Sequence, residues 1–229
     1  MTNQSYAKYD FNKLADSYDN WYNSVVGQMY DKLEKKAFDS LIGNHNGGRK
    51  QLLEIGCGTG HWSKFFSEKG FEVTGIDVSE QMIATVNKKN IPHCRFQVAD
   101  GQSLSFFDNS FDVAVAITTL EFSENPHKIA VEMTRCVKPK GKLLFGVLNS
   151  LSSYNQKRQN NSESVYAHAQ LFSPQQLLNF IEQYGTVKIR ITGFVIRNKL
   201  LIWLSPFWDS LLQLMVNKKG ALIAIEVQL

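Results

Sequence analysis

The chain has 229 residues, of which 43% are hydrophobic, so it is long enough to bury a substantial core as one domain. The formal charge is only +4, and the basic residues are scattered, which disfavours a nucleic-acid-binding surface. Three cysteines without a Cys-x-x-Cys pair disfavour a disulfide framework or a zinc site, so we expect free thiols and no bound metal.

The sequence predicts a soluble, cytoplasmic protein. The N-terminus lacks a basic region followed by an apolar one, so no secretion signal is expected. The most apolar segment, 200–216, contains Pro206 and Asp209 and is shorter than the roughly 20 apolar residues of a membrane span. We therefore expect a monomer or homodimer that acts on a small molecule, without nucleic acid and without stable insertion into a membrane.

The hydrophobic pattern predicts one or two amphipathic helices in the first 42 residues and then a turn at 44–48. Strands and helices alternate after that. The predicted strands are 52–55, 71–76, 95–98, 112–117 and 142–148, and the predicted helices between them are 61–69, 79–90 and 124–137. Near-continuous apolar strands separated by helices indicate a parallel sheet that is covered on both faces.

The pattern changes after the fifth strand, which a turn at 138–141 is expected to precede. Residues 149–164 are mostly Ser, Asn and Gln, which predicts a mobile polar loop or a lid. Ser173 and Pro174 open a further helix. Two last strands are expected over 186–194 and 221–227, joined by an apolar segment around Trp203, Pro206, Phe207 and Trp208.

Three glycines spaced two apart, Gly56, Gly58 and Gly60, follow the first strand. Glycine reaches positive φ without strain and has no Cβ, so this loop can lie flat against a ligand. Asp77 ends the second strand, 21 residues after Gly56, which is close to the offset at which an acidic side chain binds a ribose diol. Asp77 could instead cap the next helix, but Ser79 can do so, which leaves Asp77 free to bind an adenosine ligand.

The strand ends carry further polar residues. Asp100 follows the third strand and residues 118–121 follow the fourth, so these side chains meet the glycine loop at one edge of a parallel sheet. A nicotinamide dinucleotide site would normally have its third glycine at position 61, which is His61 here. An NAD-dependent oxidoreductase is the rival interpretation of this fold, and the histidine at position 61 disfavours it.

The loop from Glu54 to Gly60 resembles the S-adenosylmethionine loop of class I methyltransferases. The resemblance covers residues 50–148 and continues through Gly75–Asp77, Ala99–Gln102, Phe111–Val113 and Val137–Lys142. It implies a Rossmann-like, doubly wound sheet of seven mostly parallel strands, the last antiparallel, with helices on both faces. It also implies a single domain with an N-terminal helical cap over 1–46, a cofactor-binding core, and substrate-side insertions at 149–172 and 197–218.

The resemblance implies S-adenosylmethionine as donor, S-adenosylhomocysteine as product, and a set of donor contacts. Asp77 would hold the ribose, Glu54 the methionine amino group, and Asp100 the adenine amino group. The residues expected to bind the donor are Tyr22, Glu54, Gly56, Cys57, Gly58, Gly60, Asp77, Val78, Met82, Asp100, Gly101, Gln102 and Thr118. Met82 could equally be a core residue, and Cys57 is a small loop residue rather than a nucleophile.

A sulfonium donor needs chiefly an aligned acceptor, so a catalytic base is optional. Side chains expected near the mouth of the site are Tyr18, Tyr22, Glu121, His127 and His168. The chain lacks the Asn/Asp-Pro-Pro-Tyr and Pro-Cys motifs of nucleobase methylation, and it resembles the ubiquinone and menaquinone methyltransferase branch. We therefore expect a small, apolar or quinone-like acceptor. The aromatic residues of the N-terminal helix and of the segment around Trp203 could instead pack against the sheet or form a dimer contact. A protein that binds S-adenosylmethionine without turnover is a further alternative.

Overall fold

The computed structural model describes residues 11–15, 17–43 and 48–229, so most of the turn predicted at 44–48 lies outside the described residues. The strands are β1 (Lys50–Ile55), β2 (Phe71–Asp77), β3 (Cys94–Val98), β4 (Phe111–Ile117), β5 (Val137–Leu148), β6 (Thr186–Thr192) and β7 (Leu222–Gln228). The α-helices are α1 (Asn20–Asn23), α2 (Val25–Ile42), α3 (His61–Glu68), α4 (Glu80–Lys88), α5 (Pro126–Cys136), α6 (Ser153–Gln159), α7 (Pro174–Ile181) and α8 (Ser205–Leu214).

The strands form one sheet in the order β3-β2-β1-β4-β5-β7-β6. Strands β1 to β5 pair in parallel, and β7 runs antiparallel to both of its neighbours, β5 and β6. The seven-stranded, doubly wound fold predicted from the sequence is therefore confirmed. The strand order reverses between β1 and β4, which is where open α/β sheets bind ligands.

Both faces of the sheet are buried. On one face Phe38 of α2 and Phe66 of α3 pack against Leu52 of β1 and are fully excluded from solvent. On the other face Met133 of α5 and Leu177 of α7 are equally buried. Covered faces explain the near-continuous apolar strands, because neither side of β1, β4 or β5 meets water.

Local capping sets several helix boundaries. The Ser79 hydroxyl accepts a hydrogen bond from the Met82 amide at 3.1 Å and caps α4, as the sequence predicts. Ser173 and Gln176 form a reciprocal capping box at the start of α7.

Segment 149–164 differs from the loop that its composition predicts, because α6 lies within it. The Asn155 side chain donates hydrogen bonds to the carbonyls of Asn149 and Ala221, at 3.0 and 2.7 Å, and is buried. These side-chain amide contacts anchor α6, which has no apolar face, so hydrophobic periodicity did not predict the helix.

Two further segments differ from prediction. The turn predicted at 138–141 is part of β5, where Lys140 has a φ of 64° and the register with β4 shifts between Phe111 and Val113. A β-bulge of this kind accommodates Pro139 within a strand. Part of the apolar segment at 203–208 is helical, since α8 begins at Ser205. Among the described residues, no helix has both the length and the apolar character that a membrane crossing requires.

Candidate functional site

The glycine loop turns sharply at the end of β1. The amides of Gly56 and Cys57 both donate to the Ile76 carbonyl, at 2.8 and 2.9 Å. Gly56 and Gly58 have φ values of 71° and 51°, in the left-handed region that favours glycine. A Cβ at Gly56 would also lie 2.3 Å from the Thr119 hydroxyl oxygen, so this position has no room for a side chain.

The Asp77 carboxylate links β2 to this loop. Its Oδ2 accepts from the Gly58 amide and its Oδ1 from the Ser79 amide, both at 2.9 Å. Asp77 thus has a structural role in the loop beside the predicted role in binding, which stays a prediction. A carboxylate offers about four acceptor positions, so the two amides leave positions for a ligand. Burial raises the pKa of Asp77, and the hydrogen bonds from Ser79 and Gly58 oppose that rise.

A cavity of about 690 Å³ opens at the carboxyl ends of β1, β2 and β4, and we call it the donor cavity. Its lining includes these predicted donor residues: Gly56, Gly58, Asp77, Val78, Met82, Asp100, Gly101, Gln102 and Thr118. It also includes residues that the sequence analysis did not select, among them Phe11, Thr119, Phe122, Ser123 and Ile129. The polar strand ends, together with Val78 and Met82, were therefore predictable, and the apolar residues on the far side of the cavity were not.

Four predicted donor residues lie outside the lining of this cavity. Glu54 is buried below the loop, where its Oε2 accepts from the Ser63 hydroxyl at 2.5 Å, and burial raises its pKa to about 8. Cys57 is buried, and burial raises its pKa well above the usual value. A Cβ at Gly60 would lie 2.4 Å from a Val86 methyl, so packing requires that glycine. Tyr22 lines the neighbouring pocket described below.

Residues 53–145 match a family described as a methyltransferase domain. An uncharacterised protein of Methanocaldococcus jannaschii is 30% identical over 191 residues, which cover 82% of this chain and 85% of that protein. A ubiquinone biosynthesis O-methyltransferase of Idiomarina loihiensis is 26% identical over 169 residues, covering 68% and 70% of the two chains. The chain belongs to the class I S-adenosylmethionine-dependent methyltransferases. The crystal structure of a Thermotoga maritima S-adenosylmethionine-dependent methyltransferase shares the fold, with a TM-score of 0.73, 23% identity and coverage of 95% and 97%.

The donor of this methyltransferase is S-adenosylmethionine, and the donor cavity fits it. The cavity supplies the Asp77 carboxylate for hydroxyl groups, the apolar side chains of Val78 and Met82 for a ring, and left-handed glycines where a ligand must approach the backbone. Asp100 adds a second carboxylate, whose Oδ1 accepts from the Gln102 amide at 2.9 Å. Within the described part of the chain, no cluster of His, Cys, Asp and Glu could hold a metal ion.

A second pocket, of about 870 Å³, adjoins the donor cavity, and we call it the aromatic pocket. Tyr18 and Thr118 line both spaces. The aromatic residues that line it are Tyr18, Trp21, Tyr22, Tyr30, Trp62, Tyr154 and Tyr166, and two charged side chains, Glu34 and Arg158, join them. Tyr18 and Tyr22 were expected near the mouth of the site from the sequence, and the two charged residues were not.

Tyr18 and Thr118 mark the boundary between the two spaces. Thr118 has a φ of 48°, which is strained for a β-branched residue, and its amide donates to the Gly146 carbonyl at 2.7 Å. Burial raises the pKa of the Tyr18 hydroxyl far above its usual value, although a hydrogen bond with Thr118 opposes the rise. Tyr18 therefore stays protonated near neutral pH and can donate a hydrogen bond at the boundary.

The other candidate bases lie away from both cavities. Glu121 is fully buried, its Oε1 accepts from the Leu148 amide, and its Oε2 has no partner among the described residues. Burial raises the pKa of Glu121 to about 7. His168 and His127 are exposed, and His127 lies beside the ring of Phe180. Tyr18 and Tyr22 are thus the only predicted bases that line a described cavity.

Several large apolar side chains between β6 and β7 are exposed, although Ile202 is buried. Trp203 is 68% exposed and Phe207 is 71% exposed, and neither lines the donor cavity or the aromatic pocket. Residues 197–218 nevertheless reach the aromatic pocket at one point, because the Arg197 guanidinium lies 5.0 Å from the ring centre of Tyr154.

A polar network fastens the segment before α1 to the glycine loop. Asp19 accepts hydrogen bonds from the Thr59 hydroxyl at 2.6 Å and from the Lys89 ammonium at 2.5 Å. Lys89 also donates to the Thr59 carbonyl at 2.7 Å. These hydrogen bonds link the N-terminal segment, the glycine loop and the end of α4 to one another. They hold Tyr18, which precedes Asp19, next to the donor cavity.

Proposed function

We propose that this methyltransferase transfers the methyl group of S-adenosylmethionine to a small-molecule acceptor with a quinone-like or phenolic ring, held in the aromatic pocket. The observation that carries the proposal is the shared wall of Tyr18 and Thr118 between the donor cavity and the aromatic pocket. An acceptor in the aromatic pocket can reach the methyl group of a donor in the donor cavity at this shared boundary.

Donor binding would depend on residues at three strand ends. Asp77 would accept hydrogen bonds from the ribose hydroxyls, because its carboxylate is already oriented by the amides of Gly58 and Ser79. Val78 and Met82 would enclose the adenine, with Asp100 and Gln102 at its polar edge. Glu54 would act on the methionine end from below the loop, through water or a shift of the loop, since it does not line the cavity.

When bound, the donor supplies an electrophilic methyl group on a sulfonium whose departure leaves a neutral thioether. The protein then has to align the acceptor and exclude water, and orientation can lower a barrier by about 7–11 kcal/mol in favourable cases. The aromatic walls exclude water, and the Tyr18 hydroxyl can donate a hydrogen bond to an acceptor oxygen at the boundary. A phenolic acceptor must release its proton as its oxygen takes the methyl group, so it reacts as the phenolate or loses the proton to solvent, and the protonated Tyr18 hydroxyl does not act as the base.

A quinone-like acceptor is supported by the pocket and by a relative. Seven aromatic side chains line the aromatic pocket, and planar acceptors pack against rings in offset or edge-to-face arrangements. The Idiomarina loihiensis relative is named as an O-methyltransferase of ubiquinone biosynthesis.

The test is incubation of the protein with S-adenosylmethionine labelled in its methyl group and a fractionated metabolite extract. The proposal predicts label in an organic product of low molecular weight, together with stoichiometric S-adenosylhomocysteine. Tight donor binding with no labelled product in any fraction would favour a protein that only binds the donor. A variant at the boundary, Tyr18→Phe, keeps the ring and removes the hydroxyl, and should lower kcat more than it changes donor affinity.

A further inference from the structure

We propose that the acceptor carries an anionic group of the carboxylate type, which pairs with the guanidinium of Arg158 in the aromatic pocket. This inference rests on the proposed function and adds to it the charge of the substrate and the residue that selects it. It concerns the group that anchors the acceptor, and the methylated atom is a separate one that faces the shared wall of Tyr18 and Thr118.

Arg158 is held in the pocket by aromatic rings. Its guanidinium carbon lies 3.2 Å from the ring centre of Tyr166, 5.0 Å from that of Tyr154 and 5.7 Å from that of Trp21. Rings on several sides restrict the orientation of the guanidinium. Arg158 has five N–H donors, so its hydrogen bond with Tyr166 leaves others for a planar anion. The side chain is half-buried, so it is pre-organised and partly desolvated before any ligand arrives.

The charge of Arg158 has no ion-pair partner in the described part of the chain. The ion pairs of these residues join other side chains, and no carboxylate oxygen of residues 11–15, 17–43 or 48–229 lies within 4.0 Å of the Arg158 guanidinium. For comparison, Arg135 outside the pocket pairs with both Asp108 and Glu132, at 2.7 and 2.8 Å. A charge that is partly withdrawn from water and lacks a counter-ion favours a ligand that supplies one.

Nearby acidic groups do not cancel this charge. Glu34 also lines the pocket, but burial raises its pKa to about 8, with the neighbouring Asp31 adding to the rise and Arg158 opposing it. Glu34 is therefore largely protonated at neutral pH. Glu121 also interacts with Arg158, but burial raises its pKa to about 7, so it is only partly ionised there. Arg197, beside Tyr154 at 5.0 Å, adds a second positive charge next to the pocket. The balance is positive, which attracts anions and disfavours protonated amines.

The chemistry of the guanidinium selects the kind of anion. Its planar fork of N–H donors matches the two oxygens of a carboxylate, and such pairs are shorter and stronger than neutral hydrogen bonds. The surrounding tyrosine and tryptophan rings then cover an apolar or aromatic body attached to that carboxylate. A phenolic or quinone-like ring that bears a carboxylate meets both requirements, whereas the same ring without a carboxylate meets only the second.

The first experiment separates acceptors by charge. A metabolite extract is passed over an anion exchanger at pH 7.5, and each fraction is incubated with the protein and methyl-labelled S-adenosylmethionine. Methylated product from the retained fractions is expected. Product only from the unretained fractions would overturn the anionic acceptor while leaving methyl transfer intact, and product from neither would count against the proposed function and this inference together.

The second experiment tests Arg158 itself, with the acceptor-containing fraction as probe. Arg158→Gln should lower kcat/KM for the acceptor at least ten-fold, mainly through KM, while the Kd for S-adenosylhomocysteine stays within two-fold of wild type. Arg158→Lys keeps the charge and loses the fork, so an intermediate loss is expected. The matched control is Lys157→Gln, the same change of charge at an exposed neighbouring position. Equal kinetics for Arg158→Gln and Lys157→Gln, with S-adenosylhomocysteine bound by both, would overturn the assignment.

Discussion

The Asp77 carboxylate accepts a hydrogen bond from the Gly58 amide at 2.9 Å, so the residue predicted to hold the ribose also fixes the glycine loop. The second carboxylate oxygen accepts from the Ser79 amide at the start of α4. One side chain thus joins the ends of β1 and β2 and orients itself toward the donor cavity. Donor affinity and the geometry of the loop are therefore coupled through Asp77.

Replacement of Asp77 by asparagine should weaken S-adenosylhomocysteine binding at least ten-fold. The change removes the charge from hydrogen bonds worth about 1.5–3 kcal/mol, and each 1.4 kcal/mol corresponds to about a factor of ten. Isothermal titration calorimetry measures the affinity. Glu80→Gln, an exposed carboxylate in the first turn of α4, is the control of equal charge change and should bind like wild type. An unchanged affinity for Asp77→Asn would remove Asp77 from the donor site.

Gly58→Ala is paired with the control Gly43→Ala. Both glycines have positive φ, 51° and 68°, and Gly43 has a ψ of 176°, a combination that is almost confined to glycine, so alanine should cost roughly 1–3 kcal/mol of folding stability in each variant. A Cβ at Gly43 meets nothing within 4 Å, and one at Gly58 meets only the Tyr18 ring at 3.9 Å, so neither clashes within the protein. Urea unfolding should show a loss for both variants, while calorimetry shows weaker S-adenosylhomocysteine binding for Gly58→Ala alone. Equal affinities would mean that the ligand does not approach Gly58.

The network around Asp19 should show pairwise coupling with Lys89. Both side chains are partly exposed, so a double-mutant cycle of Asp19→Asn and Lys89→Met is expected to give about 0.5–1 kcal/mol of unfolding free energy at low salt. Burial of Asp19 acts to raise its pKa, but hydrogen bonds from Lys89 and Thr59 lower it overall. Its contribution is thus present above the unfolded pKa of about 4 and is lost as pH falls through the lowered value. Coupling that is absent at neutral pH would contradict the role of this network in fastening Tyr18.

Glu121 should make folding stability fall as pH rises from about 4.5 to about 7. In that window the buried native carboxyl keeps its proton while the unfolded one has lost it, so deprotonation favours unfolding. The full effect is on the order of 3 kcal/mol, from about 1.4 kcal/mol per pKa unit. Glu121→Gln cannot lose a proton, so its unfolding free energy, measured in urea at pH 5 and pH 8, should decline less than that of wild type. The exposed control Glu124→Gln should keep the wild-type slope, and a wild-type slope for Glu121→Gln would refute the assignment.

The donor cavity was predictable because its polar residues lie at strand ends. Gly58, Asp77 and Asp100 each follow an apolar strand, and parallel pairing brings the ends of neighbouring strands together. Alternating strands and helices also indicated a parallel sheet covered on both faces, whereas the seven-stranded, doubly wound arrangement was implied by the resemblance to class I methyltransferases. These features depend on short-range patterns, which the sequence displays directly.

The aromatic pocket was not predictable in the same way. Glu34 and Arg158 are far apart in the sequence and meet because α6 packs near α2, through the stacked rings of Tyr30 and Tyr154, whose centres are 4.9 Å apart. The residues of α6 are mostly polar, and Asn155 anchors the helix through carbonyl groups rather than an apolar face. Neither periodicity nor composition encodes such contacts, so the segment looked like a loop.

The most direct test of the central claim is calorimetric titration of the wild-type protein with S-adenosylhomocysteine and, in parallel, with NAD. We expect one S-adenosylhomocysteine to bind per chain and no heat of binding with NAD. The Asp77→Asn variant should bind S-adenosylhomocysteine at least ten-fold more weakly. Binding of NAD without binding of S-adenosylhomocysteine would contradict the assignment of the donor cavity.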